Sequence, residues 1–359
     1  MPKVMTILGT RPEIIRLARV IARLDEMLGA NHILVHTGQN FDDRLSGLFF
    51  RELGVREPDV HLNVRGESFA DQIGQILVGV ERLFSENRPD SVLILGDTNT
   101  GLAAFVAKRM GIRVCHMEAG NRCYDDRVPE EVNRRVIDHS SSVLLPYTHN
   151  SAANLEREGI ARERTIVTGN PIKEVLDYFG PQVEAADPFT AYGVERGRYF
   201  FGSAHRAETT DDPERLASLI KALNDVAERY EMPVLMSLHP RTRDRMERFG
   251  VEAGEVRFVE PMGLFDFVAL EKNAYCVLSD SGTVQEECCI FGVPTVTMRE
   301  VTERPETIEC GSNILAGVDP ARIVPTVAVA VANRGNWTPP AEYLVDNVSD
   351  VVAKIVVEG

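Results

Sequence analysis

The amino-acid sequence predicts an α/β fold with doubly wound parallel sheets, and three observations support this prediction. Short apolar runs without alternation, such as residues 91–95, are typical of strands that are buried on both faces. Amphipathic helical patterns follow these runs, as at residues 14–28, and the order repeats in both halves of the chain. At roughly 100–200 residues per domain, a chain of 359 residues is expected to form two domains.

In the first half, five apolar runs predict strands at residues 3–8, 32–37, 91–95, 112–115 and 143–146. Periodic apolar positions predict helices at residues 14–28, 42–53, 71–85, 101–111, from 129 onwards and at 151–159. An acidic stretch with proline at both ends, residues 181–188, then interrupts this order. We place the boundary between the domains near residues 175–190.

The second half repeats the order, with strands predicted at residues 199–203, 234–237, 256–259, 274–278 and 294–298. Helices are predicted at residues 213–229, 265–272 and 284–292, and a last amphipathic helix at about 340–357. This last helix could pack back across the boundary. The expected domains are residues 1–175 together with 340–359, and residues 176–339, with a cleft between two similar halves.

Composition excludes several classes of function. A net charge of −15 argues against a nucleic-acid-binding protein, which needs a basic face. No apolar window approaches 18 residues, and the N-terminus is typical of a first strand and not of a signal peptide. The six cysteines form no CxxC pair, so we expect buried thiols in a reducing cytoplasm. Neither HExxH nor HxH is present, and independence of metal ions is the expectation.

The most polar stretch of the chain, residues 116–135, follows the strand predicted at 112–115. Pro129 and the two acids after it are typical of a helix start. Glu118 and Glu130 are therefore expected at the carboxyl edge of the sheet, where α/β proteins bind ligands. Two carboxylates among arginines suit proton transfer beside an anionic substrate. The alternative is that Glu130 only favours the helix dipole and pairs with Arg134.

Other strand exits also carry polar groups, and together they favour an active-site cleft. Gly9 to Glu13 form a turn into a helix, where Arg11 could reach an anion, although neither GxxxxGK[ST] nor GxGxxG is present. Asp97 follows a buried strand and is alternatively a helix N-cap. His205 lies in a polar loop with Arg206 and Glu208, and is alternatively a solvated loop histidine.

The second half offers a plausible site for a nucleotide. Ser281 and Gly282 begin a predicted helix and could cradle a diphosphate. Glu287 lies about a turn further on, where its carboxylate could accept hydrogen bonds from ribose hydroxyls. The alternative is that Glu286 and Glu287 occupy a solvated helix face. His239 follows another predicted strand of this half, at the same type of exit.

Several motifs together resemble the non-hydrolysing UDP-N-acetylglucosamine 2-epimerase family. They cover nearly the whole chain and read GTRPEIIR (9–16), HTGQ (36–39), GDTNT (96–100), HMEAGNR (116–122), PEEVNRRVIDH (129–139), VTGNP (167–171), SDSGTVQEE (279–287) and TERPET (302–307). The resemblance implies a glycosyltransferase-B type fold, with two Rossmann-like lobes and a C-terminal helix that returns to the first lobe. It also implies a cytoplasmic enzyme, usually a dimer, with no metal or nicotinamide cofactor and no nucleic-acid or membrane partner.

The family inverts C2 of a UDP-activated 2-acetamido sugar by eliminating UDP to a 2-acetamidoglucal and adding it back. The resemblance assigns the acid/base chemistry to Asp97, Glu118 and Glu130, and diphosphate stabilisation to Arg11 and His205. It assigns contacts with the UDP-sugar to Arg16, Arg122, His239, Ser281, Gly282, Glu287 and Arg304. Gln39 and Asn40 fall in a region that contributes to an allosteric UDP-N-acetylglucosamine site in bacterial members.

Three departures from the family pattern bear on these assignments. Arg16 stands where the family often has lysine, and Asn40 stands where many members have histidine. HMEAGNRC with CYDDRVPEE resembles the branch that converts UDP-2-acetamido-2,6-dideoxy-L-talose to UDP-N-acetyl-L-fucosamine. That substrate is the alternative to UDP-N-acetylglucosamine and its C2 epimer, UDP-N-acetylmannosamine. Further alternatives are a hydrolysing epimerase, a UDP-sugar glycosyltransferase and a non-catalytic nucleotide-sugar sensor.

Overall fold

The computed structural model describes residues 1–39 and 43–358, without the side chains of residues 43–46. The chain divides into two compact units, Met1–Tyr178 with Ala341–Gly359, and Phe179–Pro340. Each unit is built on one six-stranded sheet in which all neighbouring strands are parallel. The α/β class and the two doubly wound sheets predicted from the sequence are confirmed.

The strands of the first unit are β1 (Val4–Leu8), β2 (His32–His36), β3 (Val60–His61), β4 (Ser91–Leu95), β5 (Arg113–Met117) and β6 (Val143–Leu145). Its helices are α1 (Arg11–Leu28), α2 (Asp43–Glu52), α3 (Phe69–Asn87), α4 (Ala103–Arg109), α5 (Pro129–Ser140), α6 (His149–Arg157), α7 (Ile172–Tyr178) and, from the C-terminus, one further helix (Val348–Val357). The sheet has the order β3-β2-β1-β4-β5-β6. All residues of β1 and β4 are buried, as their continuous apolar runs predict.

The strands of the second unit are β7 (Phe200–Ser203), β8 (Val234–Ser237), β9 (Arg257–Val259), β10 (Cys276–Ser279), β11 (Thr295–Thr297) and β12 (Asn313–Leu315). Its helices are α8 (Gly180–Ala185), α9 (Pro188–Tyr192), α10 (Ala207–Thr210), α11 (Pro213–Tyr230), α12 (Pro240–Phe249), α13 (Leu264–Lys272), α14 (Gly282–Phe291), α15 (Pro305–Glu309) and α16 (Pro320–Ala332). The sheet has the order β12-β11-β10-β7-β8-β9.

Both sheets reverse their strand order at the same relative place, between the first and fourth strands of the unit. In the first unit this switch point lies between β1 and β4, and in the second between β7 and β10. Ligands of open α/β sheets bind beyond the carboxyl ends of the strands at such a point. We therefore expect the ligand-binding residues to follow these four strands, β1, β4, β7 and β10.

Three details differ from the sequence-based expectation. The strand expected at 112–115 extends to Met117, so His116 is a buried strand residue and not part of the exit loop. β3 and β12, which are two and three residues long, are too short to stand out from a single sequence. The C-terminal helix expected at 340–357 is instead a turn of 3-10 helix, Ala341–Leu344, and a separate helix α17, Val348–Val357.

The C-terminal segment returns to the first unit, as the motifs imply. α17 packs on α1 and lies near the start of β4, where the Ser91 hydroxyl donates to the Val356 carbonyl at 2.9 Å. Arg113, at the start of β5, donates to the Ile355 carbonyl at 2.8 Å. Buried valines of α17 complete this packing. Within residues 1–39 and 43–358, we find no helix with the length and apolarity that crossing a membrane requires.

Candidate active site

The exit of β1 is a tight turn that depends on Gly9 and Glu13. A Cβ on Gly9 would lie 2.1 Å from Thr37 Oγ1 and 2.4 Å from Thr100 Oγ1, so a side chain does not fit there. Glu13 accepts hydrogen bonds from the backbone N–H groups of Gly9 (2.8 Å) and Thr10 (2.7 Å), and also from the Thr98 hydroxyl (2.9 Å). Glu13 thus joins the exit of β1 to the exit of β4, across the switch point.

Asp97, after β4, is held by helix α5. Arg134 directs Nε and Nη2 at Asp97 Oδ2, at 2.9 and 2.8 Å, and Arg134 Nη1 contacts Glu131 at 2.7 Å. The Asn133 side chain donates to the Asp97 carbonyl at 3.0 Å. The Asp97 side chain nevertheless stays 22% exposed. A carboxylate that is fixed by a guanidinium and still reaches solvent is suited to meet a substrate.

Glu118, after β5, forms an ion pair with Arg16 of α1. Arg16 Nη1 lies 2.6 Å from Glu118 Oε2, with side-chain exposures of 1% and 10%. The guanidinium also lies over the Tyr147 ring, 5.5 Å from its centroid. Glu118 has a φ of 65°, in the left-handed region that non-glycine residues rarely adopt. The structure therefore brings together two residues that were assigned separately, and it does so with strained backbone at the carboxylate.

Glu130 and Arg11 occupy helix starts at the same edge. Glu130 is the second residue of α5, one turn before the Arg134 that holds Asp97, and is partly exposed. Arg11 is the first residue of α1, and its guanidinium lies over the Phe49 ring at 5.9 Å. The catalytic roles predicted for both remain predictions.

Arg122 lies in the interior of the first unit, and its predicted contact with the substrate stays a prediction. Its side chain is fully buried, with Nη1 at 2.8 Å from Asp138 Oδ2 and Nη2 at 2.6 Å from Glu158 Oε2. Nε donates to Glu158 Oε1 at 2.8 Å. The guanidinium is thus fully engaged with protein groups. Arg122 thus joins the loop after β5 to Asp138 of α5 and to Glu158, and it supplies a buried counter-charge for Asp138.

His116 belongs to the same buried network. Its Nδ1 lies 2.8 Å from Asp138 Oδ1 and its Nε2 lies 2.8 Å from the Gly96 carbonyl. Burial alone would raise the pKa of Asp138, but the hydrogen bond and charge of His116, with the charge of Arg122, lower it below its ordinary value. His116 therefore links the exits of β4 and β5 from within, and its predicted place in the polar exit loop is wrong.

Gln39 and Asn40 were predicted as part of an allosteric site. The Gln39 side-chain oxygen accepts from the backbone N–H and the hydroxyl of Thr100, both at 3.1 Å, so it holds the helical turn after β4. Asn40 lies outside the described residues. The allosteric role stays a prediction.

In the second unit, Asp280 joins the two exits that flank the switch point. Asp280 Oδ2 accepts from the backbone N–H groups of His205 (2.7 Å) and Arg206 (2.8 Å), and Asp280 Oδ1 lies 3.1 Å from His205 Nδ1. Burial would raise the pKa of Asp280, but the charge and hydrogen bond of His205 and the neighbouring backbone donor lower it to about 2. With Nδ1 held by Asp280, Nε2 is the ring nitrogen that can meet a phosphate.

His205 is 37% exposed, and its ring lies 5.6 Å from the ring of His239. His239 caps α12, where its Nδ1 accepts from the Arg241 N–H at 3.2 Å. The structure thus brings the two predicted histidines together at the exits of the neighbouring strands β7 and β8.

The start of α14 lies at the other side of this switch point. Ser281 is the N-cap residue, and a Cβ on Gly282 would come within 2.6 Å of Glu303 Oε1. Glu303 in turn contacts Arg299 at 3.0 Å and Arg206 at 3.5 Å. The start of α14 is therefore surrounded by Arg206, which follows β7, and by Arg299 and Glu303, which follow β11. Glycine at position 282 leaves room for these side chains.

Arg304 and Glu287 are both nearly buried. The Arg304 guanidinium forms an ion pair with Glu286 of α14. Glu287, the next residue of that helix, is 3% exposed and lies within hydrogen-bonding reach of Glu271 of α13. The alternative of a solvated helix face for Glu286 and Glu287 is wrong, because the helix is buried between its neighbours.

Sequence reasoning missed several residues that position the site, namely Glu13, Glu271 and Glu303, and it did not predict that Asn133 and Arg134 hold Asp97. Glu13 was detectable, since Thr10 and Glu13 have the spacing of a capping box. The others act through contacts between segments far apart in the chain. Among the described residues, no group of three or more His, Cys, Asp or Glu side chains could hold a metal ion.

A model of the family described as UDP-N-acetylglucosamine 2-epimerase matches residues 22–356. The chain belongs to this family. It is 39% identical over 349 residues to the UDP-N-acetylglucosamine 2-epimerase of Methanococcus maripaludis, covering 95% of this chain and 94% of the relative. It is also 37% identical over 318 residues to the UDP-2,3-diacetamido-2,3-dideoxy-D-glucuronate 2-epimerase of Pseudomonas aeruginosa, covering 88% of each chain.

A solved structure shows the same fold within this epimerase family. The Methanocaldococcus jannaschii UDP-GlcNAc 2-epimerase, in complex with UDP-GlcNAc and UDP, matches with a TM-score of 0.94 and 36% identity. The match covers 99% of this chain and 100% of that chain. The family, the enzyme class of epimerase and the glycosyltransferase-B type fold predicted from the motifs are therefore confirmed.

Proposed function

We propose that the protein inverts C2 of a UDP-2-acetamido-2-deoxy sugar without net hydrolysis. The observation that carries the proposal is the pair of ion-paired carboxylates, Asp97 with Arg134 and Glu118 with Arg16, at neighbouring strand exits of the first unit. Inversion at one carbon needs a proton to leave on one face and to return on the other. Two positioned acid/base groups meet that need.

The reaction runs in two reversible steps. One carboxylate takes the C2 proton, the C1–O bond to UDP breaks with its electron pair, and a C1–C2 double bond forms. UDP then adds back at C1 as a second acid donates a proton to the opposite face of C2. We assign these roles to Asp97, Glu118 and Glu130, which follow β4, follow β5 and begin α5. Arg134 and Arg16 hold the first two carboxylates in place.

The second unit supplies the groups that UDP needs. His205, held by Asp280, and the start of α14 at Ser281 and Gly282 present donors to a diphosphate. Stabilising the charge of departing UDP lowers the barrier to elimination. Glu287 is assigned to the ribose hydroxyls, and Arg11, His239 and Arg304 to the anionic part of the substrate. The first unit, residues 1–178 and 341–359, then carries the sugar chemistry.

The sugars to test follow from the relatives. Relatives named for UDP-N-acetylglucosamine and for UDP-2,3-diacetamido-2,3-dideoxy-D-glucuronate are 39% and 37% identical to this chain. We propose UDP-N-acetylglucosamine and its C2 epimer as the first substrates to test. The diacetamido uronate and the 2,6-dideoxy-L-talose derivative follow.

Nuclear magnetic resonance in D₂O tests the reaction directly. Incubation with each UDP sugar alone is expected to give the C2 epimer with deuterium at C2, and no free sugar beyond trace amounts. Release of free sugar and UDP as net products would establish a hydrolysing enzyme. Turnover only after an acceptor is added would establish a glycosyltransferase, and binding without exchange at C2 would establish a sensor.

We further propose that the protein is a homodimer that needs no metal ion. Large apolar side chains are exposed on α3 and α4, including Phe69 at 62%, Val78 at 69% and Phe105 at 50%. Exposed apolar patches are typical of association surfaces. Light scattering is expected to give twice the chain mass, and a chelator is expected to leave epimerisation unchanged. A monomer at working concentration would contradict the first expectation.

A further inference from the structure

The buried carboxyl group of Glu271 packs against α14, the helix that carries Glu287, the residue predicted to bind the ribose. Glu271 is in the last turn of α13 and is 0% exposed. Its Oε1 accepts a hydrogen bond from Cys288 Sγ at 3.2 Å. Its Oε2 is buried with no hydrogen-bond donor among the residues that the structure describes. A buried carboxylate oxygen without a donor is costly, so this atom needs an explanation.

Glu287 provides the explanation. It precedes Cys288 on α14, is 3% exposed and lies within hydrogen-bonding reach of Glu271. Two carboxylates cannot donate to each other, and two charges at this distance in a buried place repel strongly. One proton shared by the pair removes both problems, because it turns one carboxylate into a donor.

The surroundings decide which group holds this proton. Burial, followed by the charge of Glu287, raises the pKa of Glu271 well above its ordinary value. Burial likewise raises the pKa of Cys288, so the thiol stays neutral and remains a donor. These directions favour the shared proton on Glu271, with Glu287 as the carboxylate of the pair.

The other charged and titratable groups around α13 face different residues of that helix. Lys272 pairs with Glu184 of α8 at the surface. Asp266 lies near Tyr192 of α9. The Tyr199 hydroxyl, next to β7, donates to the Leu270 carbonyl. Within the part of the chain that the structure describes, Glu287 and Cys288 are the titratable groups found to act on Glu271.

We propose that Glu271 is a positioning residue that donates a hydrogen bond to Glu287 and aims the Glu287 carboxylate at the two hydroxyls of a ribose. The inference rests on the proposed function, which assigns Glu287 to the ribose. A cis-diol presents two O–H donors, and a carboxylate accepts both in a bidentate manner only if its orientation is fixed. Glu271 holds that orientation from the side opposite the ligand.

The test compares UDP with 2′-deoxy-UDP, which lacks one of the two hydroxyls. Calorimetric titration of wild-type protein is expected to give about 10-fold or more tighter binding of UDP, the range of a hydrogen bond to a charged group. Glu271→Gln keeps a donor and an acceptor in place, so the preference for UDP is expected to persist. Glu271→Met keeps the volume but removes the donor, and the preference is expected to fall to about 3-fold or less.

Two further variants complete the comparison. Glu287→Gln is expected to lose the preference for UDP as fully as Glu271→Met does. Lys272→Met changes the exposed neighbour of Glu271 on the same helix and is expected to leave the preference as in wild type. A purely structural role for Glu271 would weaken both nucleotides equally in Glu271→Met, and that outcome would overturn the proposal.

A pH series covers the case in which Glu271→Met fails to fold. In wild type, the preference for UDP is expected to fall as pH rises through the raised pKa of Glu271, because ionisation removes the donor. In Glu271→Gln it is expected to stay constant over the same range. The same pH dependence in both proteins would overturn the proposal.

Failure of the inference and failure of the proposed function give different results. Wild-type protein that prefers UDP over 2′-deoxy-UDP but exchanges no deuterium into C2 would remove the epimerase proposal and keep Glu271 as a positioning residue. Epimerisation without any preference for UDP would keep the enzyme and overturn the assignment of Glu287 and Glu271.

Discussion

The two units of this epimerase share one sheet topology and differ in the chemistry of the strand exits. In the first unit, the exits carry partly exposed carboxylates that are paired with arginines, Asp97 with Arg134 and Glu118 with Arg16. In the second unit, the carboxylate at the switch point, Asp280, is buried and supports an exposed histidine, His205. We propose the carboxylate as the reacting group in the first case, whereas in the second case it holds a histidine in place.

This difference shows how one sheet topology can serve two proposed functions, acid/base chemistry in the first unit and nucleotide binding in the second. The strand order places exit residues at the same relative point in both units, whatever their identity. Burial then decides what each acid does, since a carboxylate that reaches solvent can meet a substrate and a fully buried one can only hold other protein groups. Substitutions in both units test that division, from the largest expected effect to the smallest.

The largest effects are expected for the acids of the first unit. Asp97→Asn, Glu118→Gln and Glu130→Gln are each expected to lower turnover by at least ~10²-fold, because each removes an acid/base group, while UDP still binds. Turnover by nuclear magnetic resonance and UDP binding by calorimetry measure the two properties. Asp126→Asn, an exposed acid of the same stretch paired with Arg135, is the control and is expected to keep full activity.

Near-full turnover in Glu118→Gln would remove that residue from the acid/base set. Loss of UDP binding in the same variants would instead contradict the division of tasks between the two units.

Arg122→Met is expected to reduce stability without changing recognition of the substrate. Its removal leaves Asp138 and Glu158 without their buried counter-charge, which costs about 3 kcal/mol in the free energy of unfolding. Urea denaturation measures this loss, and KM of the folded protein is expected to stay as in wild type. Arg127→Met removes an exposed arginine of the same loop and is expected to cost less than about 1 kcal/mol. A raised KM in Arg122→Met would support the predicted contact between Arg122 and the substrate.

Asp280 is expected to stabilise the fold in a pH-dependent way. Its folded pKa, about 2, lies below its ordinary value of 3.8. The contribution is therefore fully present above about pH 4, and it is lost as pH falls through about 2. A shift of this size corresponds to about 2 kcal/mol. The difference in unfolding free energy between wild type and Asp280→Asn is expected to shrink over that interval, and a constant difference would contradict the assignment.

The smallest effect is expected for Arg16→Lys. Lysine keeps the charge beside Glu118 but loses the planar guanidinium that lies over the Tyr147 ring. In Arg16→Lys, turnover is expected to fall by no more than about 10-fold. In Arg16→Met, turnover is expected to fall by about 10²-fold, because Glu118 loses its counter-charge. Equal losses in both variants would show that shape, and not charge, matters at this position.

Much of the fold could be read from local patterns. The apolar runs of β1, β4 and β10 and the helical period of α1 predicted these elements within a few residues, because a strand buried on both faces shows no polar–apolar alternation. Short edge strands such as β3 carry too few residues to show a pattern. The extension of β5 through His116 was missed because a buried histidine in a strand reads as a loop residue until its partner Asp138 is known.

The sequence by itself determined the fold class, the family and most of the side chains that end on strand exits, since these depend on local periodicity and on motifs. Only the tertiary structure decided which acids reach solvent and which hold other protein groups in the interior. Asp97 and Glu118 remain partly exposed, Asp138 is fully buried against Arg122, and Glu271 lies against Glu287. The physical reason is that burial and charge pairing depend on segments distant along the chain, and the protonation of a carboxyl group follows from them.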